Sequence, residues 1–331
     1  MDLSGKKIWA LLDDRQGNTN QTLGVAEALG VPFETKKIEF NELIRIPNIL
    51  INKTTIGFRK ESCDLLTPPW PDIVISTARR LGIVATYIKS QNPATFLAQI
   101  QWPGWPADHF DLIATPKHDN IKAGGNISLT LGAPHRVKTD VITRDAEIWR
   151  EKVSVLPSPR IAVLVGGNAG SKKFSPARGR ELAVLASSFA NLVGGSLMVT
   201  TSRRTGDRLA EAIEDFLTAP VYFYDWKDED VESKNPFFAF LGLADAVIAT
   251  GDSISMCSEA CATGKPVYIY VTPEFASSKH LQFINDLFEQ GLAKPLLARD
   301  NQFFTPSYHL NDSLTVAEEI KQRYAKHLAG I

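Results

Sequence analysis

This 331-residue sequence has few cysteines, no marked excess of positive or negative charge, and no long apolar runs. Three cysteines are too few and too unevenly placed for a disulfide framework. Lys and Arg number 36 against 37 Asp and Glu, so no excess of positive charge indicates a nucleic-acid partner. No run approaches the roughly 18 apolar residues of a membrane-spanning helix. These absences disfavour disulfide-bonded scaffolds, basic nucleic-acid binders and integral membrane proteins.

The N-terminal residues lack the basic and apolar regions of a signal peptide, so we expect a cytoplasmic, reduced protein. Cys257 and Cys261 share one face of a predicted helix, but no Cys or His lies nearby to complete a soft-metal site. We interpret both as small core residues. Asp228, Glu229 and Asp230 resemble an acidic metal-binding cluster, but a solvated loop has the same composition. We predict no metal site.

Apolar strand-like runs alternate with helical patterns from end to end, which predicts an α/β protein with parallel sheets. Strands are predicted at residues 6–12, 33–38, 73–76, 95–100, 112–115, 127–131, 160–165, 197–200, 221–224, 247–249 and 267–270. Helices are predicted at residues 19–29, 79–89, 175–192, 208–217, 237–244 and 314–328.

Two prolines between residues 151 and 159 predict a linker. We therefore expect two Rossmann-like domains that face a cleft, residues 1–152 on the acceptor side and 153–331 on the nucleotide-sugar side. The closing helix at 314–328 could pack back on the first domain. Ligands of such sheets bind outside the carboxyl ends of the strands.

The most informative segment is residues 246–270, which reads as strand, polar turn, helix, stop and strand. Ser253 or Ser255 can cap the helix, whose free N–H groups and positive dipole end suit a phosphate. Glu259 lies one turn further on, within reach of a ribose hydroxyl pair. The pattern predicts a nucleoside diphosphate site. The alternative is an ordinary βαβ unit with a surface glutamate paired to a lysine such as Lys265.

Other loops that follow strands also carry groups suited to anions. Residues 166–173 combine glycines, whose N–H groups can approach a phosphate, with two lysines. Arg203 and Arg204 could neutralise a diphosphate or belong to a solvated loop. Trp226 could face a base or be a buried anchor. None of these loops is a G-x-G-x-x-G fingerprint or a P-loop, which disfavours dinucleotide dehydrogenases and P-loop nucleotidases.

Two pairs of titratable residues follow strands of the first half. Asp13 with Asp14 and His118 with Asp119 are the candidates for acid–base chemistry, although each could be only a surface pair. Two stretches are rich in large apolar residues: 44–60, where basic residues are interleaved, and 102–106. Such stretches can dock on an anionic membrane surface or a lipid-linked acceptor, and ordinary buried packing is the alternative.

These patterns resemble GT-B glycosyltransferases such as the lipid-linked peptidoglycan N-acetylglucosaminyltransferase. Residues 166–170 and 250–259 match the positions at which those enzymes hold the sugar nucleotide, and the ribose-binding glutamate falls on Glu259. Residues 13–17 stand where that enzyme has a glycine-rich loop with a histidine. The chain more closely resembles the mitochondrial-fission "elongated mitochondria" family, which includes bacterial members of glycosyltransferase type. The matching motifs lie at residues 14–18, 110–112, 116–119, 202–205, 250–253 and 258–260.

The resemblance implies a two-domain GT-B fold and a metal-independent glycosyltransferase with a nucleotide-diphosphate sugar as co-substrate and no other cofactor. The acceptor would be lipid-linked or membrane-associated, which adds a peripheral position at a membrane to the cytoplasmic expectation. The alternatives are a non-catalytic adaptor that recruits partners at a membrane, since plant members act in organelle division, and a nucleotide-sugar epimerase. The sequence does not specify the sugar, the base or the oligomeric state.

The candidate catalytic bases are Asp14 and His118. The predicted donor-site residues are Gly166, Gly167, Asn168, Ser202, Arg203, Arg204, Trp226, Gly251, Asp252, Ser253, Ser255 and Glu259.

Overall fold

Two separate six-stranded sheets form the framework of the chain, and all their paired strands run parallel. Contacts divide the chain into two compact units. Unit 1 comprises Met1–Arg136 and Asn311–Ile331, and unit 2 comprises Val137–Leu310. The computed structural model describes residues 1–104, 106–228, 235–297 and 302–330.

Unit 1 is built on the first sheet, with strand order β2-β1-β3-β4-β5-β6. Its strands are β1 (Ile8–Leu12), β2 (Glu34–Lys37), β3 (Ile73–Thr77), β4 (Phe96–Ile100), β5 (Leu112–Pro116) and β6 (Ile127–Thr130). Its helices up to this point are α1 (Gln16–Ala28), α2 (Asn48–Ile51), α3 (Lys60–Cys63) and α4 (Ala78–Gln91), with 3₁₀ turns at Glu42–Arg45 and Lys117–Asp119. Apolar clusters cover both faces, so the central strands are continuous apolar runs.

Unit 2 carries the second sheet, with strand order β12-β11-β10-β7-β8-β9. Its strands are β7 (Arg160–Leu164), β8 (Ser196–Thr200), β9 (Val221–Tyr224), β10 (Ala246–Thr250), β11 (Val267–Tyr270) and β12 (Lys294–Pro295). Its helices are α5 (Thr139–Trp149), α6 (Pro176–Leu192), α7 (Asp207–Glu214), α8 (Phe237–Leu243), α9 (Ile254–Ala262) and α10 (Ser278–Glu289), with a 3₁₀ turn at Trp226–Asp228.

The last helix, α11 (Asp312–Ala329), returns to unit 1 and packs beside α1. Tyr324 is buried with its ring 5.7 Å from that of Phe96. The carboxylate of Asp312 accepts a hydrogen bond from the backbone N–H of Gly132 at 2.7 Å. This confirms that the C-terminal helix packs back on the first domain.

The observed division of the chain differs from the predicted boundary at residues 152 and 153. Helix α5 packs against α8, and the Trp149 ring lies 5.9 Å from that of Phe240. A Cβ at Gly242 would lie 2.7 Å from the carbonyl oxygen of Ile142, so the two helices are in close contact. Val153, in the predicted linker, is fully buried. The segment from residue 137 therefore belongs to unit 2.

The parallel α/β architecture predicted from the alternating pattern is confirmed. Strands β1 and β7 lie in different sheets, as two domains require. The sequence patterns did not predict the short helices α2 and α3, nor α5, α10 or β12. Within the described residues, no helix combines the length and the apolarity that crossing a membrane requires.

Candidate functional site

Three loops of unit 2 meet at the carboxyl edge of its sheet. They follow β10, β7 and β8, which are consecutive in the strand order. Because carboxyl ends of neighbouring parallel strands share one edge, residues from three distant parts of the chain come together there. Most of the predicted donor-site residues lie on these loops.

The carboxylate of Asp252 links the three loops. It accepts a hydrogen bond from the N–H of Gly167 at 2.8 Å and one from the hydroxyl of Thr250 at 2.6 Å. The guanidinium of Arg204 lies 3.0 Å from the same carboxylate, whose side chain is fully buried. In the described contacts Asp252 therefore acts within the protein, holding the loops that would face a ligand.

Gly166 and Gly167 are glycines because neighbouring loops approach them closely. A Cβ at Gly166 would lie 2.1 Å from the Asp252 carboxylate, and one at Gly167 would lie 2.0 Å from the carbonyl oxygen of Arg204. Both distances are far below a van der Waals contact. We predicted these glycines from the approach of a phosphate, whereas the structure gives them a reason in loop packing.

A second set of hydrogen bonds joins the loops after β7 and β8. The hydroxyl of Ser202 donates to the carbonyl of Gly166 at 3.0 Å. The N–H of Asn168 donates to the carbonyl of Arg204, and the Arg204 guanidinium donates to the carbonyl of Asn168, each at 3.1 Å. The hydroxyl of Thr205 donates to the Gly166 carbonyl as well. Thr205 lies in the family motif at residues 202–205, but it was not among the predicted donor-site residues.

The two arginines of this loop differ in their surroundings. Arg204 is held by Asp252 and Asn168, yet its side chain is 42% exposed. Arg203 is exposed and makes no ion pair or hydrogen bond with the residues that the structure describes. Arg204 is thus a fixed cation and Arg203 a cation available to solvent or a ligand.

Helix α9 begins next to this cluster, as the sequence predicted. Ser253 is its N-cap, and the side chain accepts a hydrogen bond from the N–H of Met256. No acidic residue lies in the first turn of α9. The nearest carboxylate, that of Asp252 just before the cap, is paired with Arg204. Gly251 precedes the cap, and Ser255 lies half-buried in the first turn.

Glu259 is buried one turn further into α9, with 8% of its surface exposed. Its carboxyl makes no hydrogen bond or ion pair with the described residues. Burial raises the pKa of Glu259 to about 8, so the group is mainly protonated at neutral pH. Lys265, the alternative partner, instead donates to the backbone carbonyls of Leu241, Gly242 and Ala244.

We expect the Glu259 carboxyl to make folding stability depend on pH. The pKa rises from about 4.3 in an unfolded chain to about 8 in the fold, so the unfolded state loses its proton first. The free energy of unfolding is therefore highest below about pH 4.3, and the stabilisation is lost as the pH rises through about 8. Glu259→Gln should remove the decline, raising the free energy of unfolding at pH 8 by a few kcal/mol. Urea denaturation at about pH 5 and pH 8 measures it, and an equal effect of the substitution at both values would contradict it.

His280 is a neighbour of the site that sequence reasoning missed. It lies in the first turn of α10, where its ring Nδ1 and Ser277 form a capping box. Burial lowers its pKa, while the charge of Asp252 raises it and that of Arg204 lowers it. The first turn of α10 has no apolar pattern, so the sequence did not indicate that His280 lies near the site.

Trp226 lies beyond β9, three strands from β10 in the sheet order. The backbone N–H of Trp226 donates to the hydroxyl of Thr201 at 2.9 Å, and that hydroxyl donates to the carboxylate of Asp225. The Trp226 side chain is half-buried and does not bond to the Asp252 cluster. Asp228 next to it is exposed, whereas Glu229 and Asp230 lie outside the described residues.

The two candidate bases lie in unit 1, at the ends of different strands. Asp14 follows β1, is exposed, and pairs with Arg80, whose hydrogen bond lowers the pKa of Asp14. Asp13 beside it is buried and lies 2.7 Å from the same guanidinium. His118 follows β5 and is buried. With β3 and β4 between them, β1 and β5 are roughly 14 Å apart, so Asp14 and His118 are not partners.

The apolar stretch at residues 44–60 is partly packed and partly exposed. Ile51 and Phe58 are buried, whereas Ile49 is 81% and Leu50 67% exposed. In residues 102–106, Trp102 is half-buried and Trp105 lies outside the described residues.

Both cysteines of α9 are buried core residues, as predicted. The thiols of Cys257 and Cys261 lie against the carbonyls of Thr250 and Leu292. Within the described residues, no group of three or more His, Cys, Asp or Glu side chains is arranged to hold a metal ion.

Solved structures of similar fold include two that cover almost this whole chain. The UDP-GlcNAc 2-epimerase from Methanocaldococcus jannaschii aligns with a TM-score of 0.56 at 13% identity, over 96% of this chain and 99% of that one. AviGT4, a glycosyltransferase involved in avilamycin A biosynthesis, aligns with a TM-score of 0.53 at 14% identity, over 98% and 99%. At these identities the similarity shows the fold, which is the two-domain GT-B fold.

Sequence relatives share the whole chain or most of it. A Rickettsia prowazekii (strain Madrid E) protein described as uncharacterized protein RP120 is 31% identical, over 95% of this chain and 97% of that protein. The mitochondrial fission protein ELM1 of Arabidopsis thaliana is 28% identical over 77% of this chain, and the match spans 64% of the plant protein. The model of the family described as mitochondrial fission ELM1 matches residues 16–324. Because that match extends over nearly the entire sequence, the chain belongs to the mitochondrial fission ELM1 family.

Proposed function

We propose that this chain is a metal-independent glycosyltransferase that uses a nucleotide-diphosphate sugar, with the donor bound by unit 2 and the acceptor by unit 1. The observation that carries the proposal is the buried carboxyl of Glu259, which lacks a partner among the described residues. A carboxyl that has no partner within the described part of the protein has its hydrogen-bonding capacity available for a ligand.

The diphosphate would lie between the start of α9 and the arginine loop. The first N–H groups of α9 have no partner within the helix, and an anion is favoured at the positive end of the dipole. Arg204 is already oriented by Asp252, so its remaining donors lose little freedom on binding. Arg203 adds a second positive charge that is not committed within the described residues.

The ribose would then lie along α9, next to Glu259. Glu259 is about one and a half turns from the Ser253 cap, which is roughly 8 to 9 Å along a helix. That spacing is comparable to the separation of a diphosphate and its ribose hydroxyls. A protonated carboxyl both donates and accepts, and an ionised one accepts two hydrogen bonds, so either form suits a pair of hydroxyls.

The chemistry follows from where charge develops. The acceptor oxygen forms a bond to the anomeric carbon while the bond from that carbon to the diphosphate oxygen breaks, and the acceptor proton passes to a base. The departing diphosphate gains negative charge in the transition state. The helix N-terminus and the arginines therefore stabilise the transition state more than the ground state. Asp14 or His118 is the candidate base. Asp14 is ionised at neutral pH, although its lowered pKa weakens it as a base.

Replacement of Arg203 and Arg204 by alanine tests the donor site. Nucleoside diphosphates are first screened by thermal shift, where a ligand at 100 times its Kd stabilises by about 2.7 kcal/mol. We expect the double variant to bind the best diphosphate at least about tenfold more weakly, because each charged hydrogen bond contributes about 1.5–3 kcal/mol. The free nucleoside should bind almost as before. Isothermal titration of both ligands gives the comparison.

The matched control is Arg144→Ala, since Arg144 is 71% exposed on α5 and pairs only with the adjacent Asp145 among the described residues. It should leave both affinities unchanged. An equal loss of nucleoside and diphosphate binding in the Arg203/Arg204 variant would contradict a phosphate role. A chain that no nucleoside diphosphate stabilises would overturn the proposed function.

A non-catalytic adaptor at a membrane is the second candidate. Ile49 and Leu50 favour it, because large apolar side chains exposed side by side are suited to a lipid or protein surface. The name of the plant relative, a mitochondrial fission protein, is compatible with such a role. A measured rate of sugar transfer separates the glycosyltransferase from the adaptor. A product that keeps its nucleotide would instead indicate an epimerase, the activity named for one of the structural neighbours.

A further inference from the structure

Unit 1 has a polar cavity of its own, of about 410 Å³, at the carboxyl edge of its sheet. The loop after β1 contributes Asp14 and Arg15, the first turn of α4 contributes Arg80, and the 3₁₀ turn at Glu42–Arg45 contributes Arg45. Strands β1 and β3 are neighbours, and the order of strands along the sheet reverses between them. Ligands of open α/β sheets bind at such a switch point.

The cavity lining is positive. Four arginines face it against two acidic residues, Asp14 and Glu42. Arg79 has a structural role, because its guanidinium donates to the carbonyl of Ile44 and to the side chain of Asn48.

Arg15 and Arg45 keep donors available to a ligand. Arg80 is instead held by Asp13 and Asp14, and its Nε, which has no partner among the described residues, is buried. The guanidinium of Arg15 makes no ion pair with the described residues. Arg45 pairs with Glu42, but both side chains are more than four-fifths exposed, and such a pair is weak.

The start of α1 adds further donors to the same cavity. Arg15 is its N-cap, no side chain caps the helix, and no acidic residue lies in its first turn. Gly17, in that turn, has open space where a Cβ would lie, so the backbone is accessible there. The 13-residue helix directs its positive end at the arginine-lined space.

We propose that this cavity binds the phosphoryl or diphosphate group of a second ligand. The inference rests on the proposed function only in identifying that ligand as the glycosyl acceptor. Guanidinium groups and helix N–H groups together present many donors in several directions, which suits the several oxygens of a phosphate better than the two of a carboxylate. Asp14 stands on the same lining, next to where a hydroxyl of the ligand would be deprotonated.

Inorganic pyrophosphate is the probe, titrated calorimetrically into protein saturated with UDP so that the donor site is occupied. We expect Arg15→Gln/Arg45→Gln to weaken pyrophosphate binding at least about tenfold, with UDP binding unchanged. Both side chains are exposed, so the variant should keep the wild-type melting temperature. Arg144→Gln, on the other unit, is the matched control and should bind as the wild type does. An unchanged Kd in the double variant would overturn the inference.

Gly17→Asp is a second variant that should not harm the fold. An aspartate in the first turn favours the helix, and the position has room for a side chain. It would place negative charge at the cavity, so pyrophosphate should bind at least about tenfold more weakly in a protein of equal or higher melting temperature. Normal pyrophosphate binding by this variant would also overturn the inference.

The phosphate could belong to a lipid headgroup or to a soluble sugar phosphate. Geranyl pyrophosphate represents the lipid and glucose 1-phosphate the soluble sugar phosphate. The source is the probe that binds more tightly than pyrophosphate and loses this affinity in the double variant.

The result is independent of the donor site. A chain that binds pyrophosphate through Arg15 and Arg45 but fails to bind any nucleoside diphosphate would retain this site and lose the proposed function. UDP binding without arginine-dependent pyrophosphate binding would do the opposite.

Discussion

Replacing Glu259 by alanine is expected to weaken the binding of a ribonucleoside diphosphate by about 10- to 150-fold while the chain stays folded. The protonated carboxyl would make one hydrogen bond to each of two ribose hydroxyls, and two such bonds at about 0.5–1.5 kcal/mol each correspond to roughly this range of affinity. Glu259 is buried and has no partner among the described residues, so its removal breaks no contact that holds α9. Isothermal titration with the ribonucleoside diphosphate measures the change.

The 2′-deoxy form of the same nucleotide makes the test specific for the ribose. The wild type should bind the ribonucleotide more tightly than the deoxynucleotide, and the variant should bind the two alike. Glu289→Ala removes an exposed glutamate at the end of α10 and should change neither affinity. If the Glu259 variant bound with the wild-type Kd, the ribose role would be discarded, and with it the main support for a donor site in unit 2.

Replacing Asp252 by alanine is expected to lower the free energy of unfolding by about 3 kcal/mol. The substitution leaves the N–H of Gly167 and the hydroxyl of Thr250 without their acceptor in a buried region, at about 1–3 kcal/mol each. It also frees the Arg204 guanidinium, which the carboxylate holds in place. Nucleoside diphosphate binding should weaken as a consequence of the disordered loop, so stability and affinity should fall together.

Denaturant unfolding of the wild type and the variant measures this effect. Asp215→Ala is the matched control: Asp215 is exposed at the end of α7, where a negative charge faces the negative end of the helix dipole, so its loss should be neutral or slightly stabilising. Asp252→Asn, which keeps one acceptor oxygen, should fall between the wild type and alanine. A stability loss below about 1 kcal/mol in Asp252→Ala would show that the buried network contributes little.

Both predictions concern two buried acids of one segment. Asp252 holds the loops together, and Glu259 has no partner among the described residues. The carboxylate of Asp252 makes hydrogen bonds and an ion pair within the protein, whereas that of Glu259 makes none with the described residues, although both lie on the β10–α9 segment. That contrast is the reason for assigning a ligand contact to Glu259 and a positioning role to Asp252.

Local patterns in the sequence determined the secondary structure that carries the site. The apolar run of β10, the turn before Ser253 and the helix through Glu259 depend on residues close together in the chain, so composition and spacing suffice to predict them. The parallel sheets followed from the alternation of strands and helices. The family followed from motifs distributed along the chain, which the family match confirms.

Tertiary structure alone decided what the motif residues touch. Gly166 and Asp252 are 86 positions apart, and the close approach that requires a glycine exists only once β7 and β10 pair. The neighbourhood of His280 depends likewise on how α10 meets the Asp252 loop. The boundary between the units shifted because α5 finds its apolar partner in α8, almost 90 residues later. A sequence pattern reports which face of an element is apolar, but the partner that covers that face is set by the packing of the whole unit.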